Sequence, residues 1–331
     1  MRRLIFAFLG LALALAALAT GAVYVWANHP IAMRDAPIDL SIEPGLSPRE
    51  VANEVVRSGA LVNPNVLYWW FRLSGEARKI KAGSYELDPT TSPRRLLSKL
   101  VRGEETLESV TLVEGWNLRQ LRDALHNASH LVHKTEGLAP PALMEALGRA
   151  GQVAEGHFFP DTYTYARGST DVALLQRAAR AMDRRLAQAW EQRSLPSVLQ
   201  SPDEALTLAS IVEKETGRPS DRPMISSVFH NRLRIGMRLQ TDPTVIYGLG
   251  TRFDGNLRKA DLQADTPWNT YTRAGLPPTP IAMPGKAALL AAVQPAPSNA
   301  LYFVARGDGT SQFSASLSEH NTAVNKYQRG L

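Results

Sequence analysis

The 331-residue sequence predicts an α+β protein with an N-terminal transmembrane helix, a small α+β module and a larger α+β domain. Three observations lead to this fold class. Residues 4–27 carry no charge, residues 38–103 contain two helical patterns between two strand patterns, and later amphipathic helices alternate with short strands. A chain of this length can form two domains, each with its own core.

The composition excludes several classes of function. Hydrophobic residues make up 44% and charged residues 21%, as in ordinary globular proteins. The absence of cysteine excludes disulfides and thiolate catalysis. The net charge of +6 is spread along the chain without a dense basic run, so it disfavours nucleic-acid binding and fits a neighbouring anionic lipid or polymer.

No cofactor or metal is expected. The sequence contains neither a glycine-rich phosphate loop nor a Gly-x-Ser-x-Gly nucleophile motif. His126, His130 and His133 have the spacing of one helix face, but no carboxylate stands at a supporting spacing. A solvated polar face explains these histidines better than a metal site.

The N-terminal segment, residues 1–30, is predicted to be a retained membrane anchor. Arg2 and Arg3 precede the uncharged run, which exceeds the roughly 20 residues needed to cross a bilayer. A cleaved signal peptide is the alternative, because small residues at 17–19 resemble a cleavage site. The run continues to Tyr24 and Trp26, however, which are typical of the membrane interface. The arginines place the N-terminus in the cytoplasm and the rest of the chain outside the inner membrane.

Residues 31–103 are predicted to be a linker followed by a small module. Four patterns occur in order: a strand at Leu40–Glu43, a helix opened by a capping box at Ser47, a helix over Val66–Leu73 and a return strand at Ala82–Leu87. Strand, helix, helix, strand is the arrangement of a LysM-type glycan-binding module. Trp69 and Trp70 are adjacent and cannot share a helix face, so at least one should pack in the core.

The most informative helix lies in residues 104–331, the larger domain. Ser201 is a predicted N-cap, Pro202 suits the first helical position, and Glu204 completes a capping box. Projected at about 100° per residue, the segment has one broad apolar arc. The arc contains Ala205, Leu206, Leu208, Ala209, Ile211 and Val212, and it excludes Thr207, Ser210 and Lys214.

Two glutamates end this helix. Glu215 falls inside the arc and Glu213 at its opposite edge. Burial disfavours a charged carboxylate and raises its pKa, and a raised pKa is what a general acid needs. The alternative interpretation is a structural ion pair with a nearby cation, for which Lys214, Arg218 and Arg222 are the candidates.

A second helix is expected from about Arg222 to Gly236, followed by a loop interrupted by Pro243. The predicted loop contains the polar residues Gln240, Thr241 and Asp242. Such side chains suit a ligand rich in hydroxyl and amide groups.

Five stretches together resemble the YceG-like family of endolytic murein transglycosylases. They are Glu155–Tyr163, Leu208–Thr216, Phe229–Gly248, Asn269–Tyr271 and Gly275–Ile281. They cover most of the chain in the expected order. His157 and Tyr163 depart from the family pattern, in which relatives carry tryptophan.

The resemblance implies a peptidoglycan lytic transglycosylase. Such an enzyme cuts the bond between N-acetylmuramic acid and N-acetylglucosamine and leaves a 1,6-anhydromuramyl end. It implies Glu215 as the single catalytic residue, acting as acid and then as base, since the sugar's own C6 hydroxyl attacks. Gln240, Thr241, Asp242, Asn269 and Tyr271 are the expected substrate contacts. Glu213 and Asp161 are expected to support the site.

Two alternatives remain open at the level of sequence. One is a non-catalytic peptidoglycan-binding scaffold that organises wall synthases, which would not need an acid on an apolar helix face. The other is a hydrolytic muramidase, which would need a second acid to activate water. Asp242 and Asp161 are the candidates for that acid. Peptidoglycan strands, the membrane and wall synthases are the expected partners.

Overall fold

The computed structural model describes residues 2–34 and 37–330 and has the predicted α+β class. The chain divides into two compact units. The first contains Met1–Glu108 with Tyr165–Gly168, and the second contains Ser109–Thr164 with Ser169–Leu331. The first unit therefore extends slightly beyond Gly103, where the sequence pattern placed its end.

Helix α1 (Arg2–Asn28) is the predicted N-terminal helix. Its segment Phe8–Asn28 is apolar enough and, at 21 residues, long enough to cross a membrane. The side chains of Arg2 and Arg3 lie outside the described residues. Trp26, near the end of α1, packs edge to face against Trp70, with ring centroids 6.0 Å apart.

The first unit contains the predicted strand, two helices and strand, in that order. They are β1 (Ile38–Ile42), α2 (Pro48–Arg57), α3 (Pro64–Leu73) and β2 (Gly83–Leu87). β1 pairs with β2 in antiparallel register, from Ile38 opposite Leu87 to Ile42 opposite Gly83. Alternate β1 side chains are buried, so one face of this two-stranded sheet covers the core.

Two features of the first unit differ from expectation. Helix α4 (Pro93–Arg102) was not predicted, although Ser92 caps it and Gly103 ends it in a left-handed conformation. The expected linker is also anchored to the unit, because the N–H of Ile31 donates to the Thr91 carbonyl at 2.9 Å. Asp35 and Ala36, within the expected linker, lie outside the described residues.

The tryptophan pair behaves as predicted. Trp70 packs against the core of the first unit, and its indole N–H donates to the Pro93 carbonyl at 3.2 Å. Trp69 is 52% exposed. The same helix therefore contributes one aromatic ring to the core and presents another to solvent.

The remaining strands form two pairs. Strand β3 (Leu107–Thr111) pairs with β4 (Thr162–Ala166), and β5 (Tyr302–Ala305) pairs with β6 (Ser311–Ser314). Between and after them lie α5 (Leu118–His126), α6 (Pro140–Ala146), α7 (Asp171–Glu191), α8 (Pro202–Glu215), α9 (Arg222–Arg234), α10 (Asp242–Leu249), α11 (Lys259–Gln263), α12 (Lys286–Val293) and α13 (Leu317–Val324).

Helix α8 is the centre of the second unit's core. It packs against α7, α9 and α12, and every residue from Ala205 to Val212 is buried. Thr207 and Ser210, which lie outside the apolar arc of the helix, are therefore buried as well. Helices on several sides leave no solvent face, and Ser210 is satisfied because it donates to the Thr207 carbonyl and accepts from the N–H of Ile281.

Two further expectations are corrected. Residues 242–249 form α10 rather than a loop, since Pro243 lies in the first turn, where its missing N–H costs nothing. The three histidines do not share a helix face, because α5 ends at His126 and His130 has a positive φ of 55°. His126 instead contacts Glu136 at 3.1 Å. No group of three metal-ligating side chains occurs within the described part of the chain.

Candidate active site

Glu215 is the last residue of α8 and lines a cleft of about 660 Å³ in the second unit. Four segments of chain supply most of the other walls: α9, the turn before α10, strand β5 and helix α13. The residues that line the cleft include Arg232, Gln240, Thr241, Asp242, Tyr271, Tyr302, Phe303 and His320. The buried helix thus delivers the Glu215 carboxylate to an open cleft with both polar and apolar walls.

The Glu215 carboxylate is held by Thr241. The Thr241 hydroxyl donates to Glu215 Oε1, and Thr241 itself is only 3% exposed. The N–H of Thr241 donates to Thr270 Oγ1 at 3.1 Å, and the N–H of Gln240 donates to the Thr270 carbonyl at 3.2 Å. Gln240 takes a left-handed conformation with φ 48°, so the chain turns sharply just before Thr241.

The surroundings favour the protonated form of Glu215. Burial raises its pKa, and the nearby Asp242 raises it further, while the Thr241 hydroxyl and the Arg232 guanidinium act in the opposite direction. Burial is the largest of these effects. The carboxyl group can therefore carry a proton, and donors are in place for the anion when the proton is lost.

Arg232 is a buried cation beside this acid. Its Nε donates to the Leu301 carbonyl and its Nη1 to the Leu239 carbonyl, each at 2.7 Å. The guanidinium also lies over the Tyr302 ring, 5.2 Å from its centroid. Because these contacts are neutral, the positive charge of Arg232 remains to offset an ionised Glu215.

The predicted substrate contacts divide into two groups. Gln240 and Asp242 are exposed in the cleft, and the Tyr271 hydroxyl donates to Asp242 Oδ1 at 2.5 Å. Asn269 is 1% exposed and does not line the cleft. Its amide donates to the Ala264 carbonyl at 2.7 Å, and its Oδ1 accepts from the N–H of Tyr271 at 2.8 Å. Asn269 thus positions Tyr271.

Glu213 and Asp161 lie elsewhere. Glu213 Oε1 accepts from Arg222 at 2.8 Å and Oε2 from the N–H of Gly285 at 2.8 Å, so the ion-pair interpretation describes Glu213. Glu213 does not line the Glu215 cleft. Asp161 is exposed and caps the neighbouring Thr162 N–H, outside the lining of the Glu215 cleft.

Sequence reasoning missed the aromatic wall. Tyr302 and Phe303 of β5 are only partly buried and line the cleft. The His320 ring stacks on Tyr302 with centroids 5.2 Å apart. Nothing in the local sequence around His320 indicates that its ring stacks on Tyr302.

Comparisons with known proteins agree on one family. The profile of the YceG-like family matches residues 40–326. An endolytic murein transglycosylase of Bacillus subtilis is 28% identical over 307 residues, covering 88% of this chain and 84% of that protein. One from Streptococcus pneumoniae is also 28% identical and covers 81% of this chain, which spans 54% of that longer relative. The crystal structure of a yceG-like protein from Listeria monocytogenes matches with a TM-score of 0.53 and 28% identity, covering 86% of this chain and 98% of that one.

The two glutamates of α8 should respond differently to the same substitution. Glu213→Gln leaves the Arg222 cation buried without its counter-charge and should lower the free energy of unfolding by about 3–5 kcal/mol. Glu215→Gln removes an acid whose charged form burial disfavours, so it should cost little at neutral pH. Urea denaturation of both variants tests this, and equal losses would contradict it.

Proposed function

Because the chain belongs to the YceG-like family, we propose that it is a peptidoglycan lytic transglycosylase with Glu215 as its catalytic residue. The family match confirms the resemblance found in the sequence. The observation that carries the proposal is a carboxyl group at the end of a buried helix, facing a cleft of about 660 Å³ beside the buried Arg232 cation. The substrate is the peptidoglycan glycan strand, and the bond that is cut joins N-acetylmuramic acid to N-acetylglucosamine.

The proposed reaction needs one carboxyl group and no water. Protonated Glu215 donates its proton to the glycosidic oxygen as the bond from that oxygen to the anomeric carbon breaks. The C6 hydroxyl of the same muramyl residue attacks the anomeric carbon and gives its proton to the Glu215 carboxylate. The products are a free hydroxyl on the leaving sugar, a 1,6-anhydromuramyl end and a reprotonated Glu215.

Neighbouring groups have separate parts in this scheme. Arg232 stabilises Glu215 while it is ionised, and Thr241 fixes the direction of its carboxylate. Gln240, Asp242 and Tyr271 face the cleft as substrate contacts. Tyr302 and Phe303 provide partly buried aromatic surface on which a sugar ring can pack.

Hydrolysis is the second candidate, and it rests on Asp242. This carboxylate lines the same cleft as Glu215 and could act as the base that activates water. Asp161, the other acid considered, does not line that cleft. A purely non-catalytic scaffold gives no reason for an acid buried at this position.

Replacing the proposed acid gives the direct test. Glu215→Gln keeps the shape of the side chain but cannot donate a proton, so release of anhydromuropeptides should fall by about 10² to 10⁴. Mass spectrometry of digested glycan strands measures the products, and circular dichroism confirms folding. Glu191→Gln, an exposed change on α7, is the matched control. Near wild-type release by folded Glu215→Gln enzyme would refute this mechanism.

The N-terminal helix is proposed to be a retained inner-membrane anchor that holds the catalytic unit on the extracytoplasmic side. Its apolar segment extends to Asn28, and Trp26 beyond the small-residue site packs against Trp70. An enzyme held at the membrane surface meets nascent glycan strands as they are made there. A cut inside such a strand would limit its length. The synthases that make the strands are therefore expected partners.

Anchoring predicts that full-length protein stays in the membrane fraction after high-salt and alkaline carbonate washes. The reason is that about 20 apolar residues in a bilayer are not released by charge screening. Intact-mass analysis gives the second measurement. A mature form that begins near Thr20 would show that the segment is cleaved.

The first unit is proposed to bind glycan in the manner of a LysM-like module. Trp69 is 52% exposed, and its ring lies 5.3 Å from that of Tyr68, which gives an exposed aromatic surface on α3.

Trp69→Ala should weaken sacculus binding roughly threefold to tenfold, since an aromatic contact contributes about 1 kcal/mol. Its melting temperature should stay near that of the wild type. Leu73→Ala removes another exposed apolar side chain from the same helix and serves as the control in pull-down assays. Equal sacculus binding by both variants would argue against the glycan-binding role.

A further inference from the structure

A second cavity, of about 740 Å³, lies in the second unit beside the Glu215 cleft. Lys214 lines this cavity and Glu215 lines the cleft, although their Cα atoms are only about 3.8 Å apart. Helix α10 also contributes residues to both spaces. Its first residue, Asp242, faces the cleft, whereas Ile246 and Tyr247 line the second cavity.

Three cations line the second cavity without a carboxylate partner among the described residues: Arg119, Arg122 and Lys214. Arg122 donates to the Leu138 carbonyl at 2.7 Å, and Lys214 donates to the Gly115 carbonyl at 3.2 Å. Arg119 and Lys214 are exposed. Because their contacts are neutral or with solvent, these side chains give the cavity a net positive charge.

The acid that lines this cavity, Glu155, does not neutralise them. It is 6% exposed, and both of its oxygens accept from the N–H of Leu118, at 3.0 and 3.1 Å. The Tyr247 hydroxyl donates to Oε2 at 3.1 Å. Burial raises the pKa of Glu155 to about 7, so a large fraction of this carboxyl group is uncharged at neutral pH.

Aromatic and apolar side chains line much of the remaining wall, together with the polar Asn117 and Gln120. The rings of Tyr247 and Trp268 meet edge to face with centroids 5.5 Å apart, and Phe253 and Ile281 also line the cavity. Trp268 is held in place because its indole N–H donates to Thr279 Oγ1 at 2.9 Å. The cavity therefore combines apolar surface with cationic side chains.

We infer that this second cavity binds the carboxylate-bearing stem peptide of a muramyl residue whose glycan strand lies in the Glu215 cleft. The inference rests on the proposed function. A stem peptide carries acidic groups and small apolar side chains, which match the cations and the aromatic wall. Four extended residues span up to about 14 Å, and α10, with its eight residues, is about 12 Å long. A stem peptide of four residues is therefore long enough to run the length of α10, from the Glu215 cleft to the second cavity.

Binding of soluble muropeptides to the whole protein tests the inference. The probes are a disaccharide-peptide and the same disaccharide without peptide. Isothermal titration calorimetry measures the affinity of the protein for each probe. The peptide-bearing probe should bind more tightly, and added salt should weaken it. The double variant Arg119→Gln, Lys214→Gln should lose roughly tenfold in affinity for the peptide-bearing probe alone. Arg184→Gln, an exposed change on α7 outside the cavity, should bind like the wild type.

Two results would overturn the inference. One is unchanged affinity of the double variant for the peptide-bearing probe. The other is displacement by inorganic pyrophosphate but not by free stem peptide, which would indicate a lipid-linked precursor as the ligand.

The same assay separates this inference from the proposed function. Glu215→Gln should still bind the disaccharide-peptide more tightly than the disaccharide without peptide. Peptide binding by a protein that cuts no glycan would contradict the proposed function only, and glycan cutting without peptide preference would contradict the inference only.

Discussion

The structure of the site depends on one constraint, the burial of a carboxyl group at the end of a helix whose residues Ala205–Val212 are all buried. Helix α8 is enclosed along Ala205–Val212, so its last turn brings Glu215 from the core into the cleft. Burial opposes the charge on Glu215, and Thr241 and Arg232 limit that penalty. The protein thereby keeps an acid that can be protonated at rest and is still stabilised after it loses the proton.

The three residues that end α8 show how helix geometry distributes function. Successive side chains are about 100° apart, so neighbours face different surroundings. Glu213 is paired with Arg222 and fixes the Gly285 N–H, Lys214 lines the second cavity, and Glu215 lines the cleft. Two acids of the same type therefore differ in chemistry because only one has a buried cation in direct contact.

Local signals in the sequence predicted much of this arrangement. The capped start of α8 and the position of Glu215 on its apolar arc follow from residue spacing, as do β1 and β2. Pro243 was misleading because a proline can break a helix or begin one. Asn269 was expected to contact substrate, yet it is buried because three backbone carbonyls of residues 261–264 need its amide. These contacts join residues five to eight positions apart in an irregular segment, where no periodic pattern marks them.

The central claim is that the substrate's own C6 hydroxyl, and not water, attacks the anomeric carbon while Glu215 serves as acid and base. Digestion of glycan strands in H₂¹⁸O, followed by mass spectrometry of the newly formed muramyl ends, tests this most directly. The account predicts ends that lack one water and carry no ¹⁸O. Ends with a reducing hydroxyl that contains ¹⁸O would contradict it and assign the second step to water.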